Sequence, residues 1–198
     1  MGTRLHQRLQ ALRQREVRRG VFRQRRLEGV RISAPVNCYF LRHGVAVEPN
    51  EWTGPDFDRP LTHEGIERMK CEARAIADLS LQLEVIVTSP LLRARQTAEI
   101  VADRLKLRED IVEDERLADG FDTRRLAEIL GEHDKAEAIM LVGHEPTMSA
   151  TIGRLIGDAS VELKKAALAG VTLSDASAAR GTLICLLPPK VLLRLGWV

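Results

Sequence analysis

The sequence predicts an α/β fold, a three-layer sandwich with a mostly parallel sheet flanked by helices. Short apolar runs at 36–41, 83–87 and 138–142 read as strands buried on both faces. Helical patterns of about 10–17 residues alternate with them, as in layered α/β architectures. The first and third runs each end in a histidine next to a glycine, at the strand ends where such sheets open ligand crevices.

Taken in order, the chain starts with a basic stretch. Residues 1–31 hold ten arginines against Glu16 and Glu28, a local charge of +8 in a chain of net charge +2, which leaves −6 for the remainder. Leu5, Leu9 and Leu12 have helical spacing, but Glu16, Gly20 and Gly29 interrupt it. Residues 1–33 are therefore expected to be a partly helical or disordered extension, and 34–198 the folded domain. For the extension an RNA or other phosphate-rich partner, an anionic membrane surface, or a solvated role alone are all open. No interleaving of aromatic and basic residues favours nucleic acid.

The strand at 36–41 ends in Arg42-His43-Gly44, and the Pro- and Gly-containing stretch 45–61 follows as a long loop able to line a site there. Trp52 and Phe57 are expected to anchor that loop. Thr62 reads as the N-cap of a helix to about Leu79, with Ile66, Met69, Ala73, Ile76 and Ala77 inward. After the strand at 83–87, Thr88-Ser89-Pro90 opens a helix to about Leu105, with Ala94, Ala98, Val101 and Leu105 inward. Arg93 and Arg95 lie in or near its first turn. Cations there oppose the helix dipole unless an anion sits nearby.

The acidic stretch 106–121 reads as a loop or short edge element, and 122–130 as a short helix. The strand at 138–142 delivers Gly143-His144-Glu145-Pro146 and a helix to about Ile156. Runs at 170–173 and 182–187 are close enough to pair antiparallel. Pro188-Pro189 closes the second, and 191–198 is an apolar tail. His6, His63 and His133 read as solvated. The three cysteines, Cys38, Cys71 and Cys185, have no metal-ligand spacing, and their odd number suits a reducing compartment. No run is long enough to span a membrane and no secretory signal is apparent, so a cytoplasmic monomer is expected.

Two strand-end histidines, two arginines and a helix N-terminus compose a positive, hydrogen-bonding pocket. The sequence has no phosphate-binding loop ending in Lys-Ser or Lys-Thr, no dinucleotide fingerprint and no cofactor motif. Arginine forks match phosphoryl oxygens, and histidine serves as a covalent nucleophile. The chemistry these residues suit is metal-independent phosphoryl transfer.

Three motifs in order resemble the histidine phosphatase (phosphoglycerate-mutase-like) superfamily: Leu41-Arg42-His43-Gly44, then Ser89-Pro90-Leu91-Leu92-Arg93-Ala94-Arg95-Gln96-Thr97-Ala98, then Val142-Gly143-His144-Glu145-Pro146. The resemblance implies that His43 is the nucleophile, that Arg42 and Arg93 clamp the phosphoryl group and that His144 completes the pocket. Arg95 matches no catalytic position. Within the superfamily the chain looks like the small SixA-type branch of phosphohistidine phosphatases. The features are Pro60-Leu61-Thr62 with Gly65, Pro146-Thr147-Met148, Leu155-Ile156-Gly157, Lys164-Lys165-Ala166 and Leu186-Leu187-Pro188-Pro189-Lys190. This implies a phosphorylated protein as substrate, a histidine phosphotransfer domain or a phosphocarrier protein. A phosphomonoester phosphatase or mutase of the same superfamily is the alternative. Larger members place a glutamate after the second motif as general acid. Here Glu115 is a candidate, in a stretch that does not clearly match.

Overall fold

The computed structural model describes residues 35–174, 177 and 180–197, so the expectations for residues 1–33 lie outside the described residues. In chain order the elements are β1 (Val36–Arg42), α1 (His63–Asp78), β2 (Val85–Thr88), α2 (Leu92–Leu105), β3 (Ile111–Glu113), α3 (Thr123–Glu132), β4 (Ala138–Gly143), α4 (Thr147–Leu155), β5 (Leu168–Leu173), β6 (Gly181–Leu187) and α5 (Pro189–Gly196). One sheet runs β3-β2-β4-β1-β5-β6. The first four strands in that order are mutually parallel, and β5 runs against both β1 and β6.

Successive residues of a strand point to opposite faces, and both faces of this sheet are covered. On one, Cys38, Phe40, Val87, Ile139 and Leu141 pack against Leu126 and Ile129 of α3 and Met148 and Ile152 of α4. On the other, Tyr39, Leu41, Ile86, Met140 and Val142 meet Met69 and Ile76 of α1, Ala98 and Val101 of α2, and Leu192 of α5. Phe40, Leu41, Ile139 and Leu141 are fully buried; each contributes roughly 1.5–3 kcal/mol relative to exposure. The expected three-layer α/β sandwich is what the chain forms.

Thr62 caps α1 as expected, its Oγ1 accepting from the Gly65 amide at 2.9 Å. Gly65 is needed there: a Cβ would sit 2.1 Å from the Val45 carbonyl oxygen. The first turn of α1 thereby presses on the chain just after His43. The 106–121 stretch contains the edge strand β3 and a one-turn helix, Glu115–Leu117.

Four expectations are corrected. The apolar tail is helix α5, which lies along α1 with Gly196 against the Cys71 carbonyl and its own carbonyl accepting from Arg74 Nε at 3.0 Å. That contact buries Cys71, outside the expected stripe, whereas Ile66 and Ala77 are only partly buried. Phe57 is no anchor; 49% of it is exposed, because the turn that carries it is held by hydrogen bonds rather than apolar packing. His133 is half-buried as the C-cap of α3.

Candidate active site

Register brings the two histidines together. Arg42 of β1 pairs with Gly143 of β4, so His43 and His144 emerge side by side from adjacent parallel strands. Thr88 of β2 pairs with Val142, which adds Ser89 to the same sheet end. The His43 amide donates to the Gly143 carbonyl at 3.1 Å, and the Ser89 amide to the Val142 carbonyl at 2.9 Å, so the ladder continues one residue past each strand. The Ala166 amide donates to the carbonyls of Arg42 and His43, and Thr97 Oγ1 accepts from the Gly44 amide at 3.0 Å. The turn bearing His43 is thus tied to α2 and to the approach of β5.

His43, Arg93 and His144 are all buried. The imidazole rings of His43 and His144 lie 5.1 Å apart, tilted by 52°. His43 Nδ1 is 2.8 Å from the Gly44 carbonyl oxygen. A carbonyl only accepts, so the proton of a neutral ring is on Nδ1 and Nε2 keeps its lone pair. Burial, then the charge of His144, Arg93 and Arg42, lowers the His43 pKa to about 3, the Gly44 carbonyl opposing. Burial and Arg93 lower His144 to about 4, Asp56 opposing. Both rings are neutral at physiological pH.

His144 Nε2 lies 2.8 Å from Ser89 Oγ, and that oxygen also accepts from the Leu91 amide at 3.3 Å. Ser89 Oγ keeps a second lone pair as well as its hydrogen, so this contact fits either tautomer of His144; where the hydroxyl donates to Nε2, the ring proton sits on Nδ1. His144 Nδ1, Arg42 Nε and Arg93 Nε are buried without a hydrogen-bond partner among the described residues. Buried unpartnered donors are costly, and the two arginine N–H groups, joined by His144 Nδ1 in its Nδ1-protonated tautomer, fit an incoming anion with several acceptor oxygens.

Arg42 Nη1 donates to the Leu163 carbonyl at 2.9 Å. Arg93 gives Nη1 to the Asp56 backbone carbonyl at 2.9 Å and Nη2 to Asp56 Oδ2 at 3.0 Å. Burial lowers both guanidinium pKa values from their ordinary position, Glu145 opposing at Arg42 and Asp56 at Arg93; arginine nonetheless stays charged. The anion expected near the first turn of α2 is therefore supplied in part by the chain itself.

Asp56 arrives from the 45–61 loop. The loop is closed at its base by a bridge between Ala46 and Leu61, and the Leu61 amide donates to Gln96 Oε1 of α2 at 2.8 Å. Beside its turn opens a cleft of about 540 Å³ lined by Phe57, Pro90, Leu91, Glu115, Arg116 and Arg125, among others. Glu115 is exposed on that lining and does not join the buried cluster. Arg95 pairs with Glu113 at 3.6 Å.

Residues 38–121 match the histidine phosphatase superfamily, branch 1. Phosphohistidine phosphatase SixA of Escherichia coli is 26% identical over 143 residues, 71% of this chain and 87% of that protein. The solved structure of the protein histidine phosphatase SixA complexed with tungstate superposes with a TM-score of 0.70 at 26% identity, covering 78% of this chain and 98% of that one. The family match covers less than half of the chain, and the similarity to the SixA structure extends over most of it. An uncharacterized protein of Picosynechococcus is 51% identical over 67 residues, but the match spans only 34% of this chain and 40% of that protein. Among the described residues no helix is long and apolar enough to cross a membrane, and no group of three or more His, Cys, Asp or Glu side chains could hold a metal ion.

The sequence-predicted residues Arg42, His43, Arg93 and His144 fall in one cluster. Ser89, Thr97 and Asp56 were not singled out. Ser89 and Thr97 stand inside the second motif, where a polar residue next to a strand end or in a first helical turn was the available signal. Asp56 had no local signal, because its partner is 37 residues away.

Proposed function

We propose that the protein is a phosphohistidine phosphatase that takes the phosphoryl group of a phosphorylated protein histidine onto His43 Nε2 and passes it to water. The observation that carries this reading is the Nδ1–H···O=C bond from His43 to Gly44, which leaves Nε2 unprotonated in a buried ring of positive donors. In the first step the N–P bond of the substrate breaks as a bond from phosphorus to Nε2 forms. In the second, water attacks phosphorus, the Nε2–P bond breaks, and both protons of the water leave with inorganic phosphate. Arg42, Arg93 and His144 Nδ1 donate to the equatorial oxygens throughout. The names of the SixA relatives point to the same substrate class.

A phosphorylated imidazole leaves as neutral imidazole when its other ring nitrogen is protonated, so this substrate needs no general acid. The substrate we propose is a histidine on a protein surface, as in a phosphotransfer domain or a phosphocarrier. Glu115 on the cleft lining supports a second reading, a phosphomonoester phosphatase in which it protonates an alkoxide. The test is labelled phosphoprotein mixed with enzyme and quenched in alkali, where phosphohistidine survives. Label is expected on His43 and lost in His43→Ala; label retained by that variant refutes the nucleophile. EDTA should leave turnover intact. Rapid alkyl phosphate turnover that disappears in Glu115→Gln would favour the second reading.

A further inference from the structure

Arg93 divides its guanidinium. Asp56 occupies the Nη1/Nη2 end through its backbone carbonyl and Oδ2, while Nε–H remains buried and unpartnered among the described residues. The free Nε edge can take a phosphoryl oxygen without displacing Asp56, since a guanidinium has five donors in a fixed plane. The Asp56 carboxylate then stands one guanidinium width from the phosphoryl group. It is also fixed from the other side by Arg59, whose Nε donates to Oδ1 at 2.7 Å and whose Nη1 donates to the Val47 carbonyl at 2.7 Å. Yet 59% of the Asp56 side chain is exposed, so each oxygen keeps acceptor capacity facing solvent. Phe57, the neighbouring residue, lines the cleft beside this turn.

The His43 side of the reaction already shows what such an acceptor does. The Gly44 carbonyl holds the Nδ1 proton of His43, so phospho-His43 can release its phosphoryl group as a neutral imidazole with no proton donor. Transfer between two imidazoles is nearly symmetric, and the substrate ring needs an equivalent acceptor on its far nitrogen. We infer that Asp56 is that acceptor: it takes a hydrogen bond from the ring N–H of an incoming phosphohistidine and holds that ring in its cationic form. When the substrate N–P bond breaks, its electron pair stays on the departing nitrogen and cancels the ring's positive charge. The proton remains on the far nitrogen beside Asp56, and no proton transfer occurs in the step. The assignment rests on the phosphohistidine reading above and names the group that selects for it.

The groups facing Asp56 are Arg93 from α2, Arg59 from its own loop and, through the field, His144 after β4. Burial alone would raise the Asp56 pKa. Hydrogen bonds and charge from Arg59 and Arg93 outweigh it, and the carboxyl lies below its usual range, ionised wherever the enzyme works.

The experiment compares phosphohistidine with p-nitrophenyl phosphate, whose leaving phenolate needs no proton, in wild type, Asp56→Asn and Asp56→Glu. Both substrates carry the same phosphoryl group, so loosening of Arg93 cancels in the ratio of their kcat/KM values. The ratio should fall about tenfold or more in Asp56→Asn, equivalent to one pKa unit or more on the substrate ring, and recover partly in Asp56→Glu. The alkaline limb of the phosphohistidine profile should move to lower pH by about one unit in Asp56→Asn. An equal loss on both substrates, or an unmoved alkaline limb, overturns the role of Asp56 and leaves His43 chemistry standing. A wild type that hydrolyses the aryl ester and no phosphohistidine overturns the phosphohistidine reading, and this role with it.

Discussion

Replacing Arg93 by methionine separates the functional from the structural consequences of one buried cation. Methionine keeps an unbranched apolar stem of similar length. The variant loses the hydrogen bond to the Asp56 carbonyl, about 1 kcal/mol, and an ion pair to a carboxylate that is mostly in water, about 0–1 kcal/mol. It also removes a buried donor, Nε, that has no partner among the described residues, which is worth about 1–3 kcal/mol in the opposite direction. These effects nearly cancel, and Tm should stay within about 4 °C of wild type. Turnover should not survive so well. A donor aimed at the transferring oxygens is worth about 10²–10³ in kcat. Inorganic phosphate at about 100 times its Kd should stabilise wild type by about 2.7 kcal/mol and the variant far less. The assay is thermal unfolding with and without phosphate, beside steady-state turnover. A Tm drop beyond about 8 °C with kcat within tenfold of wild type would show that Arg93 holds the fold rather than the phosphoryl group.

Three further outcomes follow from the site and its surroundings. The folded-state pKa values of His43 and His144, about 3 and 4, lie below the ordinary 6.5, so folding excludes protons that the unfolded chain binds. Their contribution to stability is complete above pH 6.5 and is lost as pH falls toward 4 and 3; chemical denaturation of His43→Gln/His144→Gln should show a shallower acid loss, and an unchanged slope would contradict the buried neutral rings. Glu72 of α1 is buried with Oε2 unpartnered among the described residues, and burial raises its carboxyl pKa to about 8. Since its unfolded value is lower, stability should decline between about pH 4.5 and 8, and Glu72→Gln should be more stable than wild type at pH 8 but not at pH 4, measured by urea unfolding. Ser89→Ala removes the hydroxyl that faces His144 Nε2 and should lower kcat by about fivefold to tenfold, the worth of one hydrogen bond, with KM less affected; an unchanged kcat would mean that Ser89 does not orient His144.

The sequence by itself determined the layered α/β class, the order of the main strands and helices through β6 and the four charged or imidazole residues of the cluster. Each of these is written locally. A buried parallel strand is a continuous apolar run, a helix start is a Thr62-type cap, and a strand end is where the apolar run stops at Arg42-His43 or Gly143-His144. What the tertiary structure decided depends on partners distant in sequence. The tautomer of His43 was within local reach, a contact to the next residue, but only the fold shows that its carbonyl is turned inward. Ser89 meets His144 across 55 residues, and Asp56 meets Arg93 across 37. The loop 45–61 has no periodicity, so sequence patterning had nothing with which to choose Asp56 over Asp58 or to expose Phe57. Helix α5 is apolar enough to read as a tail, and its place was set by the close approach of Gly196 to α1. Propensity and periodicity act over a few residues, whereas a pocket is made where the register of β1, β2 and β4 aligns three strand ends, and register is a property of the assembled sheet.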